Sequence, residues 1–166
     1  MDLGSGIPKL TYGITLNAAW KGLDLVVFGT GTYGNKIFNC LNNVDYACNR
    51  LTWFTEDRWT ATNTDGTRPA ANASNWIQYL TSDAVVFDGS FFKIKQIQLG
   101  YTLPKQIVRR FKVDNLRIYG SLDDFFTFTQ YPGFDPEVTG VGSSLGVDKG
   151  SYPTSKKVVF GVNITF

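Results

Sequence analysis

The chain has 166 residues, 18% of them charged and 15% aromatic, with a formal charge of +2. That is enough chain for one domain with a core, and too little positive charge, too dispersed, for a nucleic-acid surface; Arg109-Arg110-Phe111-Lys112 is the longest basic cluster. Histidine is absent, which excludes Ser-His-Asp and Cys-His catalysis, an imidazole base and the usual zinc sites, and no cofactor is expected.

Tyr12, Ile14, Leu16, Ala18 and Trp20 alternate with Thr11, Gly13, Thr15, Asn17 and Ala19, predicting a first strand. Lys21-Gly22 predicts a tight turn into a second strand on Leu23, Leu25 and Val27, which fades into Gly29-Thr30-Gly31-Thr32-Tyr33-Gly34. Those glycines are no phosphate loop, since no Lys-Ser/Thr follows at the required spacing. From Asn35 to about Asp88 the alternation disappears, and Lys36 to Val44 predicts one or two helical turns. Cys40 and Cys48 could bridge if their loop folds back. A helix between them would hold them about 12 Å apart, too far to bond, so both arrangements stay open. Trp53, Trp59, Trp76 and Tyr79 lie on this loop, either to stack on a ligand or lid subunit or to pack the loop on itself.

A third strand runs from Ser90 to Leu103. Its apolar phase slips between Ile94 and Ile97, which a β-bulge near Lys95-Gln96 explains. Pro104 to Phe111 predicts a Pro-started helical turn. A fourth strand follows from Leu116 to about Phe128, and the Gly-, Pro- and Asp-rich stretch near 130–155 is loop. There, Asp135, Glu137 and Asp148 read as solvated turn carboxylates, and no metal site is expected. The last strand places Val158, Phe160, Val162, Ile164 and Phe166 on one side and Lys157, Gly161, Asn163 and Thr165 on the other, with Val159 the one apolar intruder.

About five alternating strands of roughly nine to eleven residues, joined alternately by short turns and long loops, is how outer-membrane barrels are organised. No apolar run of about eighteen residues predicts a membrane helix. The long loops near 35–88 and 130–155 would face outward, and Trp20, Tyr101 and Tyr119 would sit in interfacial girdles. The opening Met1-Asp2-Leu3-Gly4-Ser5 is no signal peptide, so an internal start is expected, with Met1 fortuitous or added. The rival reading is a soluble or surface β-sandwich that binds carbohydrate through its loop tryptophans. A glycan-active enzyme fits less well, because no two carboxylates have the context of a catalytic pair.

The ordered motifs Asp57-Arg58-Trp59-Thr60-Ala61-Thr62-Asn63, Asp88-Gly89-Ser90-Phe91-Phe92-Lys93-Ile94-Lys95, Leu99-Gly100-Tyr101-Thr102-Leu103-Pro104, Gly133-Phe134-Asp135-Pro136-Glu137 and Gly161-Val162-Asn163-Ile164-Thr165-Phe166 resemble the C-terminal region of SusC/RagA-type TonB-dependent outer-membrane transporters of Bacteroidota. The segments Leu122-Asp123-Asp124-Phe125-Phe126 and the loop around Cys40 and Cys48 depart from that pattern. The resemblance implies an all-β segment, residues 1–166, of about five antiparallel strands at the C-terminal end of a barrel of about 22 strands. It implies no enzyme but an importer of oligosaccharides or peptides, driven by the TonB complex beneath a SusD-like lipoprotein. The plug and TonB-contacting segment would lie outside this chain. Phe160, Val162, Ile164 and Phe166 would form the signal read by the assembly machinery.

Overall fold

The computed structural model describes residues 3–41, 52–70, 78–79, 81–137 and 142–166. The chain forms two compact units, one of residues 11–32, 91–128 and 154–166 and the other of 1–10, 33–90 and 129–153.

In chain order the strands are β1 (Leu10–Trp20), β2 (Leu23–Tyr33), β3 (Lys36–Asn39), β4 (Val86–Asp88), β5 (Phe91–Thr102), β6 (Asn115–Thr129), β7 (Val147–Asp148) and β8 (Lys157–Thr165). The first unit is built on a five-stranded sheet in the order β1-β2-β5-β6-β8. These are the five predicted strands, each beside the next long strand in the sequence. The β1–β2 turn is set by left-handed backbone at both central positions, Lys21 (φ 46°) and Gly22 (φ 90°). Two positive φ values in a two-residue loop match the right-handed twist of the flanking strands. The second strand is longer than its sequence suggested. It continues through Gly29 and Gly31 to Tyr33, since it stays paired with β5 as far as Thr32 opposite Phe91, and the rings of Phe92 and Tyr12 occupy the space that side chains at the two glycines would need.

The predicted bulge is present. Phe28 pairs with Gln96 and Gly29 with Ile94, leaving Lys95 as the extra residue on β5. The Pro104 prediction also holds: a helical turn Lys105–Val108 passes into a 3-10 turn Arg109–Phe111, which ends at Lys112 with φ 55°. Val108 is buried beneath it.

The second unit corrects the expectation of helical turns starting at Lys36. Lys36 to Asn39 is not helical but a strand, paired antiparallel with β4 and parallel with β7. Ile37 and Asn39 turn inward, a period of two that four residues are too few to reveal in sequence. Ile37 and Val85 are fully buried, and Ser82 caps the 3-10 turn Asp83–Val85 by accepting from the Ala84 amide at 3.2 Å. Residues from the 35–88 loop and the 130–155 loop therefore share one small sheet. The rest of the proposed helix, 42–44, lies outside the described residues.

Candidate functional site: two faces of one sheet

Residues directly opposed in an antiparallel ladder share a face, so register sorts the side chains. One face carries the pairs Leu23–Tyr101, Leu25–Leu99 and Val27–Ile97 between β2 and β5. It continues through Ile118–Val162, Gly120–Phe160 and Leu122–Val158 between β6 and β8. The Lys95 bulge returns Ile94 and Phe92 to this same face, opposite Gly29 and Gly31. Without it, both would have turned toward the polar side.

This apolar face is bare. Trp20 is 67% exposed, Leu99 55%, Val162 59% and Phe160 83%, and Ile14, Leu16, Ile118 and Ile164 are also exposed. Among the described residues of this unit no second layer covers the face, so a β-sandwich core is excluded. Rings mark its two ends. Tyr12 stacks on Phe92 at 6.0 Å and Phe92 on Phe128 at 6.3 Å. At the short-turn end stand Trp20 and Tyr101. Eight residues separate Tyr12 from Trp20, about 27 Å along a strand. At a barrel tilt of 35–45° that is a band about 19–22 Å tall, close to the apolar belt of a membrane barrel.

The opposite face is polar and cross-linked. The Arg117 guanidinium of β6 donates from Nε to Asp24 Oδ1 at 2.9 Å and from Nη2 to Asp24 Oδ2 at 2.5 Å. Asp24 lies on β2, so the pair spans β5, and it can do so only because residue 100 is glycine. A Cβ there would sit 2.6 Å from Asp24 Oδ1. Gln96 Nε2 donates to Ser121 Oγ at 3.5 Å, and Ser121 Oγ to Asp123 Oδ1 at 2.5 Å. Lys95 Nζ lies 3.3 Å from Asp124 Oδ1, where Asp124 has a left-handed φ of 59°. Tyr119 belongs to this face too, correcting its assignment to an interfacial girdle. It opposes Gly161, lays its ring where a side chain would stand, and carries Arg117 at 5.0 Å.

The two outermost strands leave the sheet open. β1 and β8 have partners on one side only, and nearly all their residues are exposed. Phe160, Val162 and Ile164 stand on the apolar face of β8 and Phe166 is 87% exposed just beyond it.

In the loop unit a buried polar clasp joins the two outer loops. Asn39 Nδ2 donates to Tyr131 Oη at 2.9 Å, and Tyr131 Oη donates to Asp148 Oδ2 at 2.6 Å. Asp148 also accepts the Gly150 amide at 2.9 Å. Asn39, Tyr131 and Asp148 are 1%, 5% and 3% exposed, so Asp148 is not the solvated turn carboxylate expected. Burial, then the Asp148 carboxylate, push the Tyr131 phenol well above its ordinary range. Sequence reasoning missed this clasp, since no local spacing links residues 39, 131 and 148.

Asp57, at a left-handed φ of 54°, organises a second loop. Its Oδ2 accepts from Thr67 Oγ1 at 2.7 Å and the Thr67 amide at 3.0 Å. Those bonds hold the carboxyl below the usual range.

Of the outer-loop aromatics, Trp59 is exposed, while Tyr79 is half-buried and receives Arg68 Nη1 at 3.5 Å. Trp76 and the Trp53 side chain lie outside the described residues. Cys40 carries a free, half-buried thiol whose pKa is raised by burial; Cys48 lies outside the described residues. Among the described residues no three metal-ligating side chains gather, and no helix is long and apolar enough to cross a membrane.

No family model matches the chain. Over 99% of its length it is 30% identical to TonB-dependent receptor P3 of Formosa agariphila, spanning 17% of that protein. Over 63% of its length it is 28% identical to the TonB-dependent receptor SusC of Bacteroides thetaiotaomicron, spanning 10% of it. The fold is similar to the RagAB peptide importer in its open-open state, with a TM-score of 0.75 and 27% identity. That match covers 96% of this chain and 17% of the solved one. The chain thus spans less than a fifth of the relatives it matches.

Proposed function

From its kinship with the SusC/RagA-type TonB-dependent receptors, of which this chain is a barrel segment, we propose that it forms the C-terminal wall of an outer-membrane importer. The importer takes up oligosaccharides or peptides, acts with a SusD-like lipoprotein and draws energy from the TonB complex. The chain performs no catalysis. Its long loops, near 35–88 and 130–155, face outward and shape the vestibule, with Trp53, Trp59, Trp76 and Tyr79 offered to ligand or lid. The last strand presents Phe160, Val162, Ile164 and Phe166 to the assembly machinery.

The observation that carries this reading is the bare, ring-bordered apolar face backed by a cross-linked polar one. In water such a face would be an aggregation surface; against lipid tails it is at rest. The open edges agree. In hydrocarbon each unpaired backbone group costs several kcal/mol, so an edge of about ten residues costs tens. Further strands must therefore close the cylinder.

Partition tests the membrane assignment: the chain alone should collect in inclusion bodies or require detergent. A monodisperse, cooperatively melting protein in plain buffer would refute it. For the importer, the complete transporter should co-purify with a SusD-like lipoprotein and retain labelled peptide or oligosaccharide; retention of neither overturns that part.

A further inference from the structure

The short-turn end of the five-stranded sheet concentrates positive charge. Between Pro104 and Asp114 stand Lys105, Arg109, Arg110 and Lys112, all exposed, with Asp114 the one acidic residue. Lys21 projects from the adjacent hairpin turn, its Nζ 4.8 Å from the Trp20 ring centre. The turns are neighbours: the Thr102 amide donates to the Gly22 carbonyl at 2.7 Å, just before Pro104. Among the described residues none of these five cations is in an ion pair, whereas Arg117 and Lys95 on the strands are paired.

A groove opens beside these charges. Its volume is about 530 Å³, and its lining includes Leu23, Leu99, Tyr101, Ile118, Gly120 and Phe160. All six belong to the apolar face by register. Gly120 supplies the space: a Cβ there would already touch the Phe160 ring, at 3.4 Å. Leu23 and Tyr101 stand at the mouth, next to the Lys21-Gly22 turn. Gly120 lies five residues in from Asn115, about 17 Å along the strand, of the order of one leaflet's depth of about 15 Å.

We propose that this groove and its basic rim form a binding site for one anionic diacyl phospholipid, with an acyl chain seated over Gly120 and the phosphate held by Lys105, Arg109 and Arg110. Charge complementarity selects the occupant. A neutral lipid would satisfy the groove and leave the cations idle, and a soluble anion would satisfy the cations and leave the groove empty. Only a ligand with both parts uses both features, which are continuous on one sheet. The inference rests on the barrel-wall reading above.

The test uses the complete transporter in phosphatidylcholine vesicles doped with spin-labelled phosphatidylglycerol or spin-labelled phosphatidylcholine. The motionally restricted fraction of each label gives a selectivity ratio. Phosphatidylglycerol should be favoured about fivefold or more, the gain of one basic side chain at an anionic surface. Replacing Lys105, Arg109 and Arg110 together by Gln should bring the ratio to about one. Gly120→Leu should displace both labels from the site while the charges remain. A wild-type ratio near one, a ratio unmoved by the triple Gln variant, or full competition by soluble glycerophosphate would overturn the proposal. Failure of the protein to float with vesicles would instead overturn the barrel-wall reading, so the two failures are distinct. Because the Gln changes lie on exposed turn residues, the triple variant keeps the test available if Gly120→Leu does not assemble.

Discussion

Replacing Tyr131 with Phe removes one oxygen and leaves its ring edge-on to Phe87, at 6.2 Å between centres. Two buried hydrogen bonds disappear: the 2.6 Å bond to the Asp148 carboxylate and the 2.9 Å bond from Asn39. A bond to a charged group contributes about 1.5–3 kcal/mol and a neutral one about 0.5–1.5. The clasp should therefore lose about 2–4.5 kcal/mol, or a factor of roughly 30 to 2,000 in its closing equilibrium. Hydrogen exchange reads this directly. The Phe38 amide donates to the Gly146 carbonyl and the Cys40 amide to that of Asp148, each at 2.8 Å across β3 and β7. Both should lose protection by about two orders of magnitude in the complete transporter. A change below about fivefold would refute the claim that the clasp fastens the two loops. The same geometry has an alkaline signature. The folded phenol is pushed above its unfolded value of about 10. Its contribution is therefore full below about pH 10 and is lost as pH rises from there toward the folded value. One tyrosine should thus resist ionisation in an absorbance titration; normal titration of every tyrosine would contradict its burial.

Val162→Arg on the apolar face should destabilise the folded barrel by about 2–4 kcal/mol, whereas Asn163→Arg on the polar face should cost far less. Heat-modified gel migration and denaturant titration separate them, and equal effects would refute the assignment of faces. Gly100→Val should displace the Asp24–Arg117 pair and cost roughly 1–3 kcal/mol by overpacking; unchanged stability would mean the strands relax freely. Asp57 has a lowered folded pKa. Its contribution is present above the unfolded value of about 3.9 and is lost as pH falls through the folded one. Protection of the amides in residues 57–68, taken relative to each amide's intrinsic exchange rate, should fall at low pH, and that fall should vanish in Asp57→Asn; an unchanged fall in that variant would exclude the carboxylate as the cause. Phe166→Ser should lower surface levels of the complete barrel, and unaltered levels would count against its role in assembly.

All five long strands and the Lys95 bulge could be read from the residues because a half-exposed strand writes its geometry locally. Side chains alternate every residue, and a slipped phase between Ile94 and Ile97 is visible without knowing the neighbours. The register was not legible, nor was the side on which Tyr119 falls. Its alternation with Ile118 and Gly120 is clear, yet an aromatic on the polar face is explained only by Gly161 opposite it. β3 was hidden more completely. Lys36-Ile37-Phe38-Asn39 has no marked preference by itself, and it becomes a strand because β4 and β7, more than forty residues away, supply its hydrogen bonds.

The amino-acid order alone thus determined the period and the number of the long strands, since both depend on neighbours along the chain. Only the folded arrangement decided that Gly100 is spanned by an ion pair, that Gly120 opens a groove beside bare cations, and that Asn39, Tyr131 and Asp148 lock two loops together. Those features depend on residues brought close by pairing and burial, and distance in sequence carries no record of that.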